Sequence, residues 1–199
     1  RRAEDRQGGP GLSGMIVRGA DMARAWLMTA VVVALASCAQ SPAYEADAYE
    51  LGNLDPANQI PKSSPSQLAK TFASACIDGP KDFAAAEAAL RKQGFVPYPS
   101  RDDLVTFVSD DRRPAVQLSK RGDGCVVAAS ARTGQTEELL QLVARRFPQA
   151  QPLDAESVGR DLERAWKIDG GILFLLRSGS PYATSRLMFG IWHSNPSSR

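Results

Sequence analysis

Histidine is nearly missing from this chain, because His193 is the only one among 199 residues. A metal centre built from several histidines is therefore excluded, and the zinc motif H-E-x-x-H does not occur. The G-x-S-x-G turn of serine hydrolases is missing, and no serine is followed by a lysine three residues later. Since these parts are lacking, we predict a protein that is not an enzyme and that uses no metal or cofactor.

An excess of basic charge is also missing once the first 37 residues are set aside. The full chain has 24 lysines and arginines against 22 aspartates and glutamates, and residues 38–199 carry 19 of each. Binding to nucleic acid through its phosphates needs clustered cations, which a balanced chain does not supply. The sequence pI of about 8.5 therefore does not indicate nucleic acid as a partner.

Hydrophobic runs are short. The apolar segment at residues 25–36 cannot cross about 30 Å of hydrocarbon, which takes roughly 20 helical residues. Its length fits the core of a signal peptide, with Met22 as a start and Arg24 as the preceding positive charge. Small residues then lead to a cysteine, in the order Leu35, Ala36, Ser37 and Cys38.

This four-residue stretch resembles the lipobox of bacterial lipoproteins. The resemblance implies a signal peptide at residues 22–37 and a lipid on Cys38, the first residue of the mature chain. Residues 1–21 are then a leader or a gene-start artefact. Ala39 and Gln40 lack the aspartate of the retention signal, which favours the outer membrane, facing the periplasm. An ordinary secretory signal or a short buried helix is the alternative.

Cysteine is scarce as well, with three in the chain. If Cys38 carries a lipid, Cys76 and Cys125 are the two that are left, in a compartment that is oxidising. We therefore predict a disulfide between them. Two buried free thiols, or a catalytic cysteine, are the alternatives.

Residues 38–63 predict a flexible, lipidated tether, because Pro42, Pro56 and Pro61 interrupt a segment with few large aliphatic residues. Residues 64–199 are predicted to form a single domain. Its first helix begins at a capping box, with Ser64 as N-cap and Gln67 as the third helical residue.

The helical periodicity then places Leu68, Phe72 and Cys76 on one buried face. A second helix follows a break at residues 78–80, which we expect to supply its cap. This helix ends at Gly94, a left-handed residue that lets Phe95 pack on Leu90.

Alternating apolar residues predict two groups of three strands on either side of a third helix. The predicted elements are strands at residues 104–109, 115–120 and 125–131, a helix at 136–147, and strands near 162–168, 172–177 and 187–193. The fold class is α+β, an antiparallel sheet packed by helices in the order αα-βββ-α-βββ, with a hint of two α-βββ repeats. In layout alone it is similar to small αα-βββ envelope proteins, with which it shares no residue motif.

Two pairs of neighbouring acids, at residues 102–103 and 110–111, are candidates for calcium binding or acid–base chemistry. Adjacent residues of a strand point to opposite faces, so the members of each pair diverge. We therefore interpret them as solvated strand ends.

The last two strands are apolar on both sides, although an antiparallel sheet with helices on one side is normally polar on the other. We predict that Leu173, Leu175, Met188 and Trp192 form a partner-binding face. The alternative is that the third helix or the tether covers this face and makes it core.

The function predicted from these patterns is a non-enzymatic binding module, anchored to the cell envelope by lipid. Its partner is an envelope protein or a second copy of the chain. A second hypothesis is an inhibitor-like module that blocks an extracytoplasmic enzyme through the hairpin loop at residues 120–124. An enzyme of unrecognised type is the third.

Overall fold

The computed structural model describes residues 47, 50–52, 61–98, 103–179 and 185–194. Its elements alternate between helices and meanders of antiparallel strands. The helices are α1 (Pro65–Phe72), α2 (Phe83–Lys92), α3 (Gln135–Arg146) and the short α4 (Ala155–Val158). The strands are β1 (Val96–Tyr98), β2 (Leu104–Val108), β3 (Ala115–Ser119), β4 (Gly124–Ser130), β5 (Gln151–Leu153), β6 (Leu162–Ile168), β7 (Gly171–Ser178) and β8 (Arg186–His193).

All eight strands lie in one sheet, in the order β1-β2-β3-β4-β8-β7-β6-β5. Every neighbouring pair is antiparallel. The predicted α+β class, with an antiparallel sheet packed by helices, is therefore confirmed.

The sheet consists of two similar halves that meet at β4 and β8. The first half, residues 83–130, is α2 followed by β1 to β4, and the second half, residues 135–193, is α3 followed by β5 to β8. Strands β4 and β8 pair antiparallel along seven residues each, from Gly124 opposite Trp192 to Ser130 opposite Arg186. Each half thus has one helix before four strands, where the sequence predicted three, and the second half has in addition the short helix α4 between β5 and β6.

The two strands that the sequence did not reveal are the edge strands of the sheet. Strands β1 and β5 have three residues each, and each has a proline at its centre, Pro97 and Pro152. Proline lacks a backbone N–H and is confined to edges, where it also prevents pairing with another chain. Such short, proline-containing segments do not show the alternation that marks a strand.

Helix α1 begins as the sequence predicts. Ser64 is its N-cap, and the Ser64 hydroxyl accepts a hydrogen bond of 3.2 Å from the N–H of Gln67. The helix continues into a π-helical turn, Ala73–Ile77, which contains Cys76. Leu68, Phe72 and Cys76 are all buried, so this continuous helical segment presents one apolar face to the sheet.

Helix α2 ends as predicted but begins differently. The Asp82 side chain caps it by accepting a 2.9 Å hydrogen bond from the N–H of Ala85, so the cap lies just after the predicted break. At the other end Gly94 has φ +80°, and the Phe95 N–H donates to the Leu90 carbonyl at 3.1 Å. This is a Schellman motif, in which a left-handed glycine lets the chain reverse.

The core lies between the sheet and helices α1, α2 and α3. Its largest fully buried side chains come from α1 and from both halves: Phe72, Phe95, Phe107, Phe189, Leu68, Leu139, Leu173, Leu175 and Leu187. The rings of Phe72 and Phe189 are 4.4 Å apart, which joins α1 to the central strand β8. The face of the sheet that contacts these helices is called the first face below.

The packed domain begins before Ser64. The Ser130 N–H donates to the Pro61 carbonyl at 3.0 Å, and the Ser63 hydroxyl donates to the Arg112 carbonyl at 2.6 Å. The fully buried Gln135 amide donates to the carbonyls of Ser63 and Ser130 at 3.1 and 3.2 Å. Residues 61–63 are therefore part of the fold and not of a tether.

Candidate functional site

The face of the sheet opposite the helices is called the second face. Helices α1, α2 and α3 all bury their apolar residues on the first face, and α4 buries none. The third helix therefore does not cover the second face. The alternative prediction, that the tether covers the second face, concerns residues 38–60, most of which lie outside the described ranges.

Two of the four residues predicted for partner binding are in the core instead. Leu173 and Leu175 are 0% and 1% exposed and contact the helices. Leu175 lies directly opposite Phe189, a first-face residue, and opposed residues of neighbouring strands share a face. The prediction assigned Leu173 and Leu175 to the face of Met188 and Trp192, so it placed the side chains of β7 on the wrong faces and those of β8 on the right ones.

Met188 and Trp192 do lie on the second face. Their neighbours on β7 are Leu176 opposite Met188, Ile172 opposite Trp192, and Phe174 between these two. The apolar surface that the sequence predicts thus exists, with Ile172, Phe174 and Leu176 in place of Leu173 and Leu175.

Two aromatic rings lie on this surface, each over a glycine of the neighbouring strand. The Phe174 ring lies over Gly190, where an added Cβ would clash with the ring. The indole of Trp192 lies over Gly124, where an added Cβ would be 2.6 Å from the Trp192 Nε1 atom. The two ring centroids are 4.8 Å apart. We call this pair of rings the aromatic platform.

The platform is only half covered. Phe174 is buried beneath its neighbours, whereas Trp192 is 48% exposed. The other large apolar side chain that is exposed in the described ranges is Tyr98, at 40%. Tyr98 is opposite Thr106 on β2, which is opposite Gln117 on β3, and this row continues to Gly190. Both exposed aromatics are therefore on the second face.

A concavity of about 230 Å³ lies on the second face, mostly in the first half. Its floor includes Ala115 and Ala128, and Tyr98 borders it on the edge strand. Its polar lining is Thr106, Gln117 and Arg186. The Gln117 amide donates to the Thr106 hydroxyl at 3.3 Å.

The loop at residues 120–124 is held against the body of the protein. The Lys120 N–H donates to the Asp103 carbonyl at 2.8 Å, and the Arg121 guanidinium pairs with the Asp103 carboxylate. A Cβ at Gly122 would be 2.8 Å from the Lys81 carbonyl oxygen, so the loop packs closely against residue 81. The loop is therefore ordered by contacts on both sides, while Lys120 and Arg121 stay exposed.

The two cysteines predicted to pair lie at disulfide distance. The sulfur atoms of Cys76 and Cys125 are 1.98 Å apart and their Cα atoms 5.4 Å apart. They join the π-helical turn after α1 to β4, and both residues are buried.

Chemically active side chains gather near this cysteine pair, which the sequence did not predict. The Lys81 ammonium donates to the Cys76 carbonyl at 2.9 Å, and its burial lowers the pKa of Lys81. Burial, together with the charge of Lys81, lowers the pKa of His193, while Asp123 opposes the shift. The enclosed space between these groups is about 20 Å³, which is room for about one water and not for a substrate.

The acidic pairs do not form a metal site in the described ranges. Asp103 forms an ion pair with Arg121. Asp111 forms an ion pair of 2.6 Å with Arg113 and accepts a hydrogen bond of 2.7 Å from the Ser109 hydroxyl. These contacts lower the pKa of Asp111, although its burial opposes them. No group of three or more histidine, cysteine, aspartate or glutamate side chains that could bind a metal occurs among the residues that the structure describes.

The predicted lipid attachment site, Cys38, lies outside the described residues, as do the predicted signal peptide and leader. Among the helices that are described, none has both the length and the apolar character needed to span a bilayer. Comparison of this chain with protein-family models, with curated proteins and with solved structures finds no match.

Proposed function

We propose that this protein is a lipid-anchored component of the bacterial cell envelope whose domain binds a partner macromolecule through its second face. The observation that carries the proposal is that the two exposed large apolar side chains of the described ranges, Tyr98 and Trp192, lie on that one face. Aromatic side chains of this kind are enriched where proteins bind each other, and isolated solvent-facing sheets are usually polar.

The arrangement of the platform supports binding. Trp192 lies over the glycine at position 124 and against the ring of Phe174, so its orientation is restricted while about half of its surface stays exposed. A preordered aromatic ring loses little conformational entropy when a partner covers it. The apolar residues around it, Ile172, Leu176 and Met188, are half-buried and extend the same surface.

The anchor is proposed from the resemblance of residues 35–38 to a lipobox. The cysteine pair at disulfide distance fits the same location, because disulfides persist in the periplasm and are rare in the cytoplasm. The lack of an aspartate after Cys38 favours the outer membrane. The proposed partner is an envelope protein. If the experiment finds self-association instead, the partner is a second copy of the chain.

Site-specific photo-crosslinking in intact cells tests the binding face. A benzophenone amino acid replaces Trp192 or Tyr98 in turn, and Ala144, an exposed residue of α3 on the opposite side, is the matched control position. We expect the same adduct from positions 192 and 98 and none from 144. An adduct with twice the mass of the chain indicates self-association. Adducts from 144 alone, or from no position, would contradict the proposal.

The anchor needs its own experiment. We expect Cys38→Ser to leave the protein uncleaved or to release it from the membrane fraction, whereas Cys76→Ser leaves lipidation unchanged. Labelling of the cells with a radioactive fatty acid distinguishes the two variants. If Cys38→Ser fractionates, migrates and incorporates label like wild type, the lipobox interpretation is wrong.

A further inference from the structure

The concavity on the second face contains a cation that has no counter-ion among the described residues. Arg186 lines it and has no ion pair or side-chain hydrogen bond with any residue that the structure describes. Seven other arginines of the described ranges do form an ion pair or a side-chain hydrogen bond: Arg91, Arg113, Arg121, Arg132, Arg145, Arg146 and Arg177. The described arginines that share the lack of a partner with Arg186 are Arg112, Arg160 and Arg164, and these three are exposed. Arg186 is half-buried, so its guanidinium has given up part of its hydration without an anion from the described residues in return.

The rest of the lining is neutral. Among the described residues that line the concavity, Arg186 is the only charged one. The amide of Gln117 donates one hydrogen bond to Thr106, which leaves its carbonyl oxygen and a second N–H for a ligand. The floor of Ala115 and Ala128 leaves room above the sheet, and the exposed ring of Tyr98 forms the opposite wall.

We propose that this concavity binds a carboxylate-bearing ligand whose body carries amide or hydroxyl groups. The guanidinium of Arg186 would hold the carboxylate through paired N–H donors, a geometry that favours planar oxyanions. A single positive charge matches a singly charged carboxylate better than a doubly charged phosphate. Gln117 and Thr106 would bind the polar body of the ligand, and Tyr98 would cover its apolar side.

The size of the site agrees with a small ligand or the end of a chain. Tyr98 and Arg186 lie on β1 and β8, four strands apart, which is roughly 19 Å across the sheet at about 4.8 Å per strand. Arg186 is also four residues along β8 from Gly190, where the row of Tyr98 meets that strand. The volume of about 230 Å³ accommodates a few linked small groups and not a folded domain. The C-terminal carboxylate of a peptide and an acidic sugar share this chemistry. The inference rests on the proposed function in one respect, which is that the second face is where ligands bind.

Titration of the isotopically labelled protein, followed by NMR, tests the inference. The probes are an N-acetylated tripeptide with a free carboxylate, the same tripeptide amidated at its C terminus, and a uronic acid with its methyl ester. We expect the acids to shift the amide signals of residues 115–117 and 186–188, and the neutral counterparts to bind more weakly by about tenfold or more. Which acid binds tighter identifies the source of the carboxylate.

The variant Arg186→Gln should reduce the affinity for the acids by about tenfold or more and leave the neutral probes unchanged. Arg164→Gln is the matched control, because Arg164 is an exposed strand arginine on the first face. Equal binding of acids and neutral probes, or unchanged binding by Arg186→Gln, would overturn the inference. Carboxylate binding without crosslinks from positions 98 and 192 would overturn the proposed function alone, and crosslinks without carboxylate binding would overturn the inference alone.

Discussion

The two halves of this protein share one architecture and differ in the surface that each contributes to the second face. In the first half that face is lined by small or polar residues, such as Thr106, Ala115, Gln117 and Ala128, and it is hollow. In the second half it is filled by large apolar residues: Ile172, Phe174, Leu176, Met188 and Trp192. The comparison shows that the same arrangement of strands can present two different surfaces, because the side chains on the second face differ between the halves.

The halves also differ in how they are held. The first half is joined to the segment after α1 through Cys76 and Cys125. The second half has no cysteine and depends on side-chain packing, with Leu173, Leu175, Leu187 and Phe189 as its largest fully buried strand residues. Substitutions in the two halves can therefore distinguish the stability that comes from side-chain packing from the stability that comes from the cysteine pair.

The largest effect is expected from Leu175→Ala in the second half. Leu175 is 1% exposed, and removing a buried leucine side chain costs about 2–5 kcal/mol, including the cavity that remains. Trp192→Ser, on the opposite face, should cost about 1 kcal/mol, because it loses an aromatic contact and little burial. Urea denaturation measures both values. Equal losses would mean that Trp192 is a core residue and not part of a binding face.

Removing the cysteine pair should cost slightly less. The double variant Cys76→Ala/Cys125→Ala releases a 49-residue loop, and we expect a loss of about 2–4 kcal/mol. Thiol counting on denatured, unreduced wild-type protein provides the control, and it should find neither of these cysteines free. If reduction with dithiothreitol leaves the melting temperature of wild type unchanged, the pair does not stabilise the first half.

The glycines beneath the platform should differ in their tolerance. Gly190→Ala places a Cβ against the buried Phe174 ring and 2.9 Å from Val126 Cγ2, which should cost about 1–3 kcal/mol. Gly124→Ala should cost less than 1 kcal/mol, because the indole that it meets belongs to the half-exposed Trp192 and can move outward. Thermal melts compare the two variants. The second change Phe174→Leu should recover part of the loss of Gly190→Ala, and its failure to do so would place the clash elsewhere.

The smallest effect on stability is expected from His193, which lies where the two halves meet. Its backbone N–H donates a hydrogen bond to the Asp123 carbonyl at 2.9 Å. Burial lowers the pKa of His193 in the folded protein below its usual 6.5, and the charge of Lys81 lowers it further. The folded state therefore favours neutral histidine. Its contribution to stability is complete above pH 6.5 and is lost as the pH falls from 6.5 through the lowered pKa.

Urea midpoints between pH 8 and pH 5.5 measure this effect, because His193 is the only histidine. His193→Gln should remove most of the pH dependence in this window. Lys81→Gln should reduce it, since one of the two causes of the lowered pKa is then gone. A wild-type stability that rises on acidification would contradict the sign of the shift.

Much of the fold could be predicted because its signals are local. The Ser64 cap, the Gly94 reversal and the basic last turn of α3 depend on residues close in the chain. The long strands alternate clearly, and the third helix is within one residue of its predicted ends. Strands β1 and β5 were missed because three residues around a proline have no periodicity to detect.

The candidate site was only half predictable. Two apolar faces on β7 were visible in the sequence, but the partner of each residue on β8 was not, because the residues between the two strands do not set a register. The single slip put Leu173 and Leu175 outside and Phe174 inside. Arg186 and Gln117 were missed for another reason, since an arginine and a glutamine 69 positions apart have no signature until two strands bring them to one concavity.

The sequence by itself determined the fold class, the order of the long elements and the burial of Cys76, because periodicity and capping are properties of short segments. The pairing of Cys76 with Cys125 was predicted from the cysteine count instead, and the structure places the two at disulfide distance. The tertiary structure decided the order of the strands in the sheet, the register of β7 on β8, and the face on which Trp192 lies. These features depend on contacts between segments far apart in the chain. Side-chain alternation gives each strand two faces, and only packing against the helices determines which of them becomes the core.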